Sequence, residues 1–324
     1  MKPTTPGSLS CRHSVSTKAM PKLKAPLFGL QAHGSLNREL TYTSRRQFHV
    51  AKTIPQHFDS RTSSQLTQRF LYRLGIALWN GLDAAGRAVY TAQATGRSLT
   101  AMNVFLREWL TTLPNLTYCI PLQEGSGLIA YDRSPSNWPS TITGCSWLPL
   151  DSGYQLSSDG LNDFVALPNA TALSLDTTTL SFIFAMTGRN IGNGLPILDK
   201  RPAAGAGWML WRTSIDSLVL TTYNAAGNSS LGTTAPAYVQ DTRAVWGLSA
   251  AAGSGSWYKD GADVTGAAPA HRIPDPNATI AKFFVRTYAP PLYAAVDLEW
   301  FAIFDRALTP AEHLAIATAF TPRP

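Results

Sequence analysis

Charge is scarce in this sequence. Asp, Glu, Lys and Arg make up 15 % of 324 residues, against the ~25 % usual for a soluble domain. Cysteine is scarcer still: Cys11, Cys119 and Cys145 are the whole set, and none sits in a C-x-x-C. An odd count without paired spacing argues against a zinc ribbon or a disulfide framework. One Cys119–Cys145 bridge stays open, although nothing in the spacing singles it out. No apolar run approaches the ~18 residues that a membrane helix needs, so membrane insertion is not expected. The first twenty residues, "MKPTTPGSLSCRHSVSTKAM", hold basic side chains but no apolar stretch of the kind a secretory signal requires. No G-x-S-x-G, H-E-x-x-H or P-loop pattern occurs, and the six histidines are scattered without ligand spacing. Four N-x-[ST] sequons, at Asn115, Asn169, Asn228 and Asn277, carry little weight in a chain so rich in Ser and Thr.

What is present is uneven. Residues 1–118 hold 15 Lys and Arg against 4 Asp and Glu, a balance of +11; residues 119–324 hold 12 against 16, a balance of −4. The basic excess belongs to the N-terminal third, which points that third at an acidic partner. Residues 1–60 show no helical period and are broken by Pro3, Pro6, Pro21, Pro26 and Pro55. They read as an extended basic arm without a core of its own, with strand-like pieces at Leu40–Thr43 and Gln47–Val50. Arg38, Arg45, Arg46 and Lys52 in this arm, with Arg61, Arg69 and Arg73 just beyond it, are the candidate anchoring residues.

Residues 61–114 change character. Leu66, Phe70, Leu74 and Leu78 recur every four residues, the period of an amphipathic helix, with Ser60 or Thr62 as its cap. Asp83 can cap a second, shorter helix whose apolar contacts are Val89 and Tyr90. Thr100 can cap a third, which turns Val104, Phe105, Trp109 and Leu110 toward its neighbours. The result is a small three-helix anchoring unit. "ALWNGLDAAGRAVYTAQA" loosely resembles the aromatic spacing of HMG-box proteins but lacks their lysines, and nucleic acid is not the expected partner. Residues 41–110, through "SRRQFHV", "DSRTSSQLTQRF", "ALWNGLDAAGRAVY" and "MNVFLREWL", also resemble a module of tailed-phage proteins.

From residue 115 onward the pattern is β. "TLSFIFAM", "WMLWR", "SLVLTTY", "AVWGLSA" and "VDLEWFAIF" are short apolar runs separated by turn residues. Asp260-Gly261 in "WYKDGADV" signals a tight hairpin. Eight or more such strands indicate a sandwich or jelly roll. The ordered series "LQEGSGLIAYDRS", "YQLSSDGLNDFVALP", "LSFIFAM", "ILDKR", "WYKDGADV" and "VDLEWFAIFDRALTPAEH" resembles the concanavalin A-like, laminin-G-type lectin/glucanase fold over residues 119–320. The expected fold class is therefore mainly β: a concanavalin A-like jelly-roll sandwich of two antiparallel sheets, after a basic arm and a helical unit. The resemblance implies a terminal strand and helical turn in which Leu308 packs back and Thr309 caps. It does not imply one function, since the fold hosts lectins, glycosidases and adhesion modules.

Three sites can be weighed. Asp297 and Glu299 share a face in an ideal strand, and glycosidases of this fold work with paired strand carboxylates. The family motif needs a third acid, yet the next same-face positions by alternation are Phe301 and Ile303, so no catalytic residue is assigned. Asp159, Asn162 and Asp163 form the one tight cluster suited to calcium; a turn capping its own backbone is the preferred explanation of them. Trp138, in the turn-rich "SPSNWPS", and Tyr288 and Tyr293, flanking Pro290-Pro291, are the rings best placed to stack on a sugar. The expectation is a non-enzymatic virion protein of a tailed phage that needs no cofactor. Its basic end meets other virion proteins, its copies associate within the particle, and its sandwich is displayed as decoration or as an adhesin for a cell-surface glycan. A glycoside hydrolase, or a nucleic-acid binder working through residues 1–113, is the alternative.

Overall fold

The computed structural model describes residues 61–321, apart from 170, 172, 176–178, 191–193, 203–205, 252–253, 267–270 and 289, together with the backbone of 34–36, 40–45 and 48–53. Strands β1 (Gly34–Leu36), β2 (Leu40–Arg45) and β3 (Phe48–Thr53) form an antiparallel sheet in that order, pairing Gly34 with Tyr42 and Leu40 with Thr53. The two strand-like pieces of the arm thus correspond to β2 and β3, which pair with one another. Their ladder satisfies backbone groups within one short stretch of chain. This sheet is a compact unit distinct from residues 61–324.

Helices α1 (Ser63–Gly81), α2 (Ala84–Ala94) and α3 (Ala101–Thr112) begin at the caps legible in the sequence. Thr62, rather than Ser60, closes a capping box with Gln65; Asp83 accepts from Gly86 N and Thr100 from Asn103 N. Leu66, Phe70, Leu74 and Leu78 are all buried. Two expected contacts fail. Val89 is exposed, and in α3 Leu106 is buried while Leu110 is exposed, so the apolar stripe is turned by about one residue.

The strands that follow are β4 (Leu116–Ile120), β5 (Ile129–Ala130), β6 (Ser140–Thr143), β7 (Ser146–Leu150), β8 (Gly153–Ser157), β9 (Phe164–Ala166), β10 (Leu180–Asn190) and β11 (Pro196–Lys200). Then come β12 (Gly207–Arg212), β13 (Leu218–Asn224), β14 (Gly227–Gly232), β15 (Arg243–Ala251), β16 (Ser254–Lys259), β17 (Ala262–Asp263), β18 (Lys282–Phe283), β19 (Ala295–Phe304) and helix α4 (Pro310–Phe320). They build two antiparallel eight-stranded sheets. The first runs β17-β16-β15-β10-β19-β8-β7, with β4 also on β19; the second runs β14-β13-β12-β11-β18-β9-β6-β5. Asp260 and Gly261 both take positive φ, 50° and 82°, and close the β16–β17 hairpin as the dipeptide predicts.

Alternation sorts the second sheet cleanly. Ile142, Val165, Phe283, Leu198, Leu210, Leu220 and Leu231 are paired neighbours across seven strands, and all lie in the core between the sheets. The first sheet is buried on both faces. Its outer face meets α1, α3 and α4 through a second core that includes Phe70, Leu74, Trp109, Ile183, Trp300, Phe304 and Phe320. Trp109 donates to Leu71 O at 2.9 Å, and Trp300 sits 4.7 Å from Phe320 and 5.6 Å from Phe70, ring centre to ring centre. The chain from Arg61 onward is accordingly one compact unit, and the boundary drawn at residue 114 does not divide its packing. The helices spend their apolar faces on the sandwich.

Helix α4 begins with a second capping box, Thr309 with Glu312, whose carboxylate Arg306 also grips at 2.8 and 2.6 Å. Thr309→Ala is expected to lower unfolding stability by about 1 kcal/mol, readable as a drop in the urea midpoint with an unchanged slope. Cys119 and Cys145 are free thiols, the first buried and the second half-buried.

Candidate functional site

Asp297 and Glu299 lie on β19, which like β4, β10 and β15 contributes side chains to both cores. The ladder to β10 pairs Ala185 with Trp300 and Met186 with Leu298, so Glu299 is the extra residue of a β-bulge. The bulge reverses the alternation. Phe301 and Ile303 enter the inner core, while Trp300, Ala302 and Phe304 continue outward beneath the helices. The same-face positions inferred from ideal alternation are thus corrected. Each acid is held by an arginine: Arg189 of the adjacent β10 places Nε 3.1 Å from Asp297, and Arg243 of β15, one strand further on, grips Glu299 at 2.5 and 2.7 Å while donating to Phe320 O. Both carboxylates are paired with guanidinium groups, Glu299 beside the end of α4 and Asp297 beside Ser157 and Ser158, and read as structural clasps.

The candidate calcium cluster is occupied by its own backbone. Asp159 N donates to Asp163 Oδ2 and Leu161 N to Asp159 Oδ1, both at 2.8 Å, while Asn162 is exposed. Among the described residues no three His, Cys, Asp or Glu side chains are grouped to hold a metal. Trp138 is half-buried against the inner core, in a loop organised by Asp132. That carboxylate accepts from Cys119 N, Ser134 N, Ser134 Oγ and Trp138 N, all within 2.9 Å. Of the anchoring candidates, Arg38 and Arg46 lie outside the described residues, and Arg45 and Lys52 are described only as backbone of β2 and β3. Arg61, Arg69 and Arg73 are exposed, the last with its guanidinium 5.5 Å from the Phe320 ring.

The outer face of the second sheet is the more informative place. Among the described residues no helix belongs to its packing, since both helical contacts and the second core involve the first sheet. Lys282, Asp199, Met209, Thr221 and Ser230 are paired neighbours across it. Asp199 is fully buried. Its Oδ1 receives Arg201 Nε at 3.2 Å, and its Oδ2 receives Thr287 N at 3.0 Å. Burial pushes its carboxyl above the usual range despite Arg201 and these hydrogen bonds. Arg201 then reaches Tyr223 Oη at 2.8 Å, Tyr288 Oη at 3.1 Å and Met209 Sδ at 2.9 Å. The loop that follows β18 carries Thr287 and Tyr288 across the end of β11, fixed by the Val285–Tyr293 bridge. The Tyr288 ring centre lies 4.8 Å from the Arg201 guanidinium and 4.5 Å from that of Arg286.

The chemistry of this cluster is directional. A guanidinium only donates, so both tyrosine oxygens accept from Arg201 and each keeps its own hydroxyl proton to donate. Two half-buried aromatic rings with fixed O–H groups stand over a buried ion pair. Trp211, also half-buried, continues the face and donates to Thr221 Oγ1 at 2.9 Å. Of the rings chosen from the sequence, Tyr288 belongs here. Tyr293 is half-buried at the base of the same loop, and Trp138 lies in the loop between the edge strand β5 and its neighbour β6. Asp199 and Arg201 escaped the sequence reading, and Tyr223 is one of the rings that it did not single out. "ILDKR" signalled a strand, and the only further hint was a run of charges directly after buried apolar positions.

No family model and no curated protein matches the chain. Solved structures do share its fold. Domain 4 of AbnA, a GH43 extracellular arabinanase from Geobacillus stearothermophilus solved with arabinotriose, aligns with a TM-score of 0.50 at 15 % identity, over 63 % of this chain and 98 % of that domain. The binding domain of Paraclostridial Mosquitocidal Protein 1 aligns with a TM-score of 0.50 at 13 % identity, over 64 % of this chain and 52 % of its own length. The binding domain of botulinum neurotoxin DC, solved with SialylT, aligns with a TM-score of 0.50 at 14 % identity, over 64 % and 51 %. This chain therefore spans about half of the toxin binding domains. These likenesses establish the two-sheet sandwich.

Proposed function

We propose that the chain is a non-enzymatic, concanavalin A-like carbohydrate-binding protein, and that its binding face is the outer side of the second sheet around Tyr223 and Tyr288. The observation that carries this reading is the Arg201 cluster: two tyrosines held rigid by one buried guanidinium on a face without a helical cover. Rings of that kind stack on the C–H face of a sugar while fixed hydroxyls reach its oxygens. Two of the structures that share the fold were solved with sugars, arabinotriose in one and SialylT in the other. Binding without cleavage is supported by the arginine clasps on Asp297 and Glu299, which leave no free carboxylate pair on β19.

The sandwich is carried, on this reading, by a tailed-phage particle. The +11 balance of residues 1–118 and the resemblance of residues 41–110 to phage modules support that placement, with acidic virion proteins as partners. Mass spectrometry of purified particles should recover the chain, and its absence would end the virion assignment. Binding is tested on a glycan array followed by calorimetry. Tyr288→Ala is expected to weaken the best ligand about tenfold or more, equivalent to ~1.4 kcal/mol, and Tyr288→Phe less, with Trp138→Ala close to wild type. An array without any ligand would refute the reading.

A further inference from the structure

Around Asp199 the donors outnumber the acceptors. Both of its oxygens are taken, one by Arg201 and one by Thr287 N. The two tyrosine hydroxyls accept from Arg201 and so present protons. Lys282 is the cross-strand partner of Asp199, and its ammonium lies 4.7 Å from the Phe164 ring centre; no carboxylate pairs with it among the described residues. Arg286 stacks on Tyr288 and turns Nε and Nη2 toward Pro290 O, again with no acidic partner. The neighbouring loop adds one charge of each sign. Arg272 Nη1 donates to Ala226 O, and Asp275 bonds through its backbone to Gly207 and Tyr223. The cluster therefore holds Arg201, Lys282, Arg286 and Arg272 against Asp199 and Asp275, an excess of two positive charges.

We infer that this face selects an anionic sugar, one bearing a carboxylate or a sulfate, over its neutral counterpart. The inference rests on the carbohydrate-binding reading above and deepens it. A neutral sugar offers hydroxyls that need both donors and acceptors. This face offers two O–H groups, an ammonium and a guanidinium, while its one central carboxylate is fully buried and engaged with Arg201 and Thr287. An anionic group meets those donors with charge-assisted hydrogen bonds, which are shorter and stronger than neutral ones. Lys282 and Arg286 supply the selectivity. Arg201 acts through the tyrosines and is a positioning residue.

The test uses the full chain on an array in which each carboxylated glycan is printed beside its methyl ester, with sulfated and unsulfated pairs alongside. Carboxylated or sulfated members should bind about tenfold or more above their neutral partners. Which of the two series responds identifies the anion. The preference should shrink as salt rises from about 50 to 500 mM, as screening requires. In the Lys282→Gln/Arg286→Gln double variant it should fall to about twofold, with thermal unfolding near wild type. Equal binding of acid and ester would overturn the anionic assignment and leave carbohydrate binding intact. Persistence of the preference in the double variant would overturn the roles of Lys282 and Arg286. No binding to any member would refute the underlying reading as well.

Discussion

Arg201→Ala is expected to destabilise the protein by about 3–5 kcal/mol, because it strips the cation paired with a carboxylate that has no solvent exposure. The truncation also leaves two tyrosine oxygens without their donor and opens space beside Met209. Asp199→Asn should cost less, since an amide tolerates burial without a counter-ion. The double variant Asp199→Asn/Arg201→Met should recover much of the loss, because a buried ion pair often contributes little relative to an uncharged pair of similar volume. The pH dependence agrees in sign. Burial raises the Asp199 carboxyl in the folded chain, so the native state holds that proton more readily than the unfolded one. Its contribution to stability then declines as pH rises through that window. Urea unfolding of both single variants and the double variant measures the coupling. If the double loss equalled the sum of the single losses, the pair would be energetically independent and the account wrong.

Such a pair adds little stability relative to an uncharged one, while it fixes the geometry of the Arg201 cluster. Little of it was legible in the sequence. Its members come from β11, β13 and the loop after β18, so Asp199, Tyr223 and Thr287 are far apart until the ladders bring them together. Tyr288 could be found because prolines mark its loop. Arg201 could not, since a charged residue at a strand end reads as solvated. The architecture was far more readable. Thr62, Asp83, Thr100 and Thr309 each cap the helix they precede, and Asp260-Gly261 closes its hairpin, because these signals are local and carry their own stereochemistry. The bulge at Glu299 has no comparable signature. One added residue is invisible in composition, yet it exchanges the faces of Phe301 and Trp300. The same limit applies to α1 and α3. Their stripes announce that a face will be buried, but only the folded chain shows that the outer side of the first sheet receives it.

Acid should loosen the seam between α4 and the first sheet, by about 2 kcal/mol at pH 5 and about 3 kcal/mol at pH 4. The group responsible is His313, buried on α4 and stacked on Tyr258 at 4.2 Å. Its Nε2 lies 2.8 Å from Ser249 Oγ, which in turn lies 2.8 Å from both Leu308 O and Ser181 Oγ. The Ser249 proton is directed at the Leu308 carbonyl, so Nε2–H donates to the serine oxygen and Nδ1 is bare. Among the described residues Nδ1 meets no hydrogen-bond partner, and it faces Gly247, where even a methyl carbon would stand 2.3 Å away. A second proton would place charge in a pocket with nothing to accept it. Burial brings the imidazole down to about 4, with Glu312 pulling upward and Arg306 downward. Between about 6.5 and 4 the unfolded chain binds a proton that the native chain refuses, so stability is full above that window and is lost as pH falls through it. The Ser249–His313 pair resembles a catalytic contact only in distance, since it is buried and no carboxylate orients Nδ1. His313→Gln can keep a donor near Ser249 while removing the titration. Urea unfolding at pH 7, 6, 5 and 4 should then show a lower but flatter stability for the variant over this window. A wild-type curve as flat as the variant's would mean that another group, or none, governs the seam.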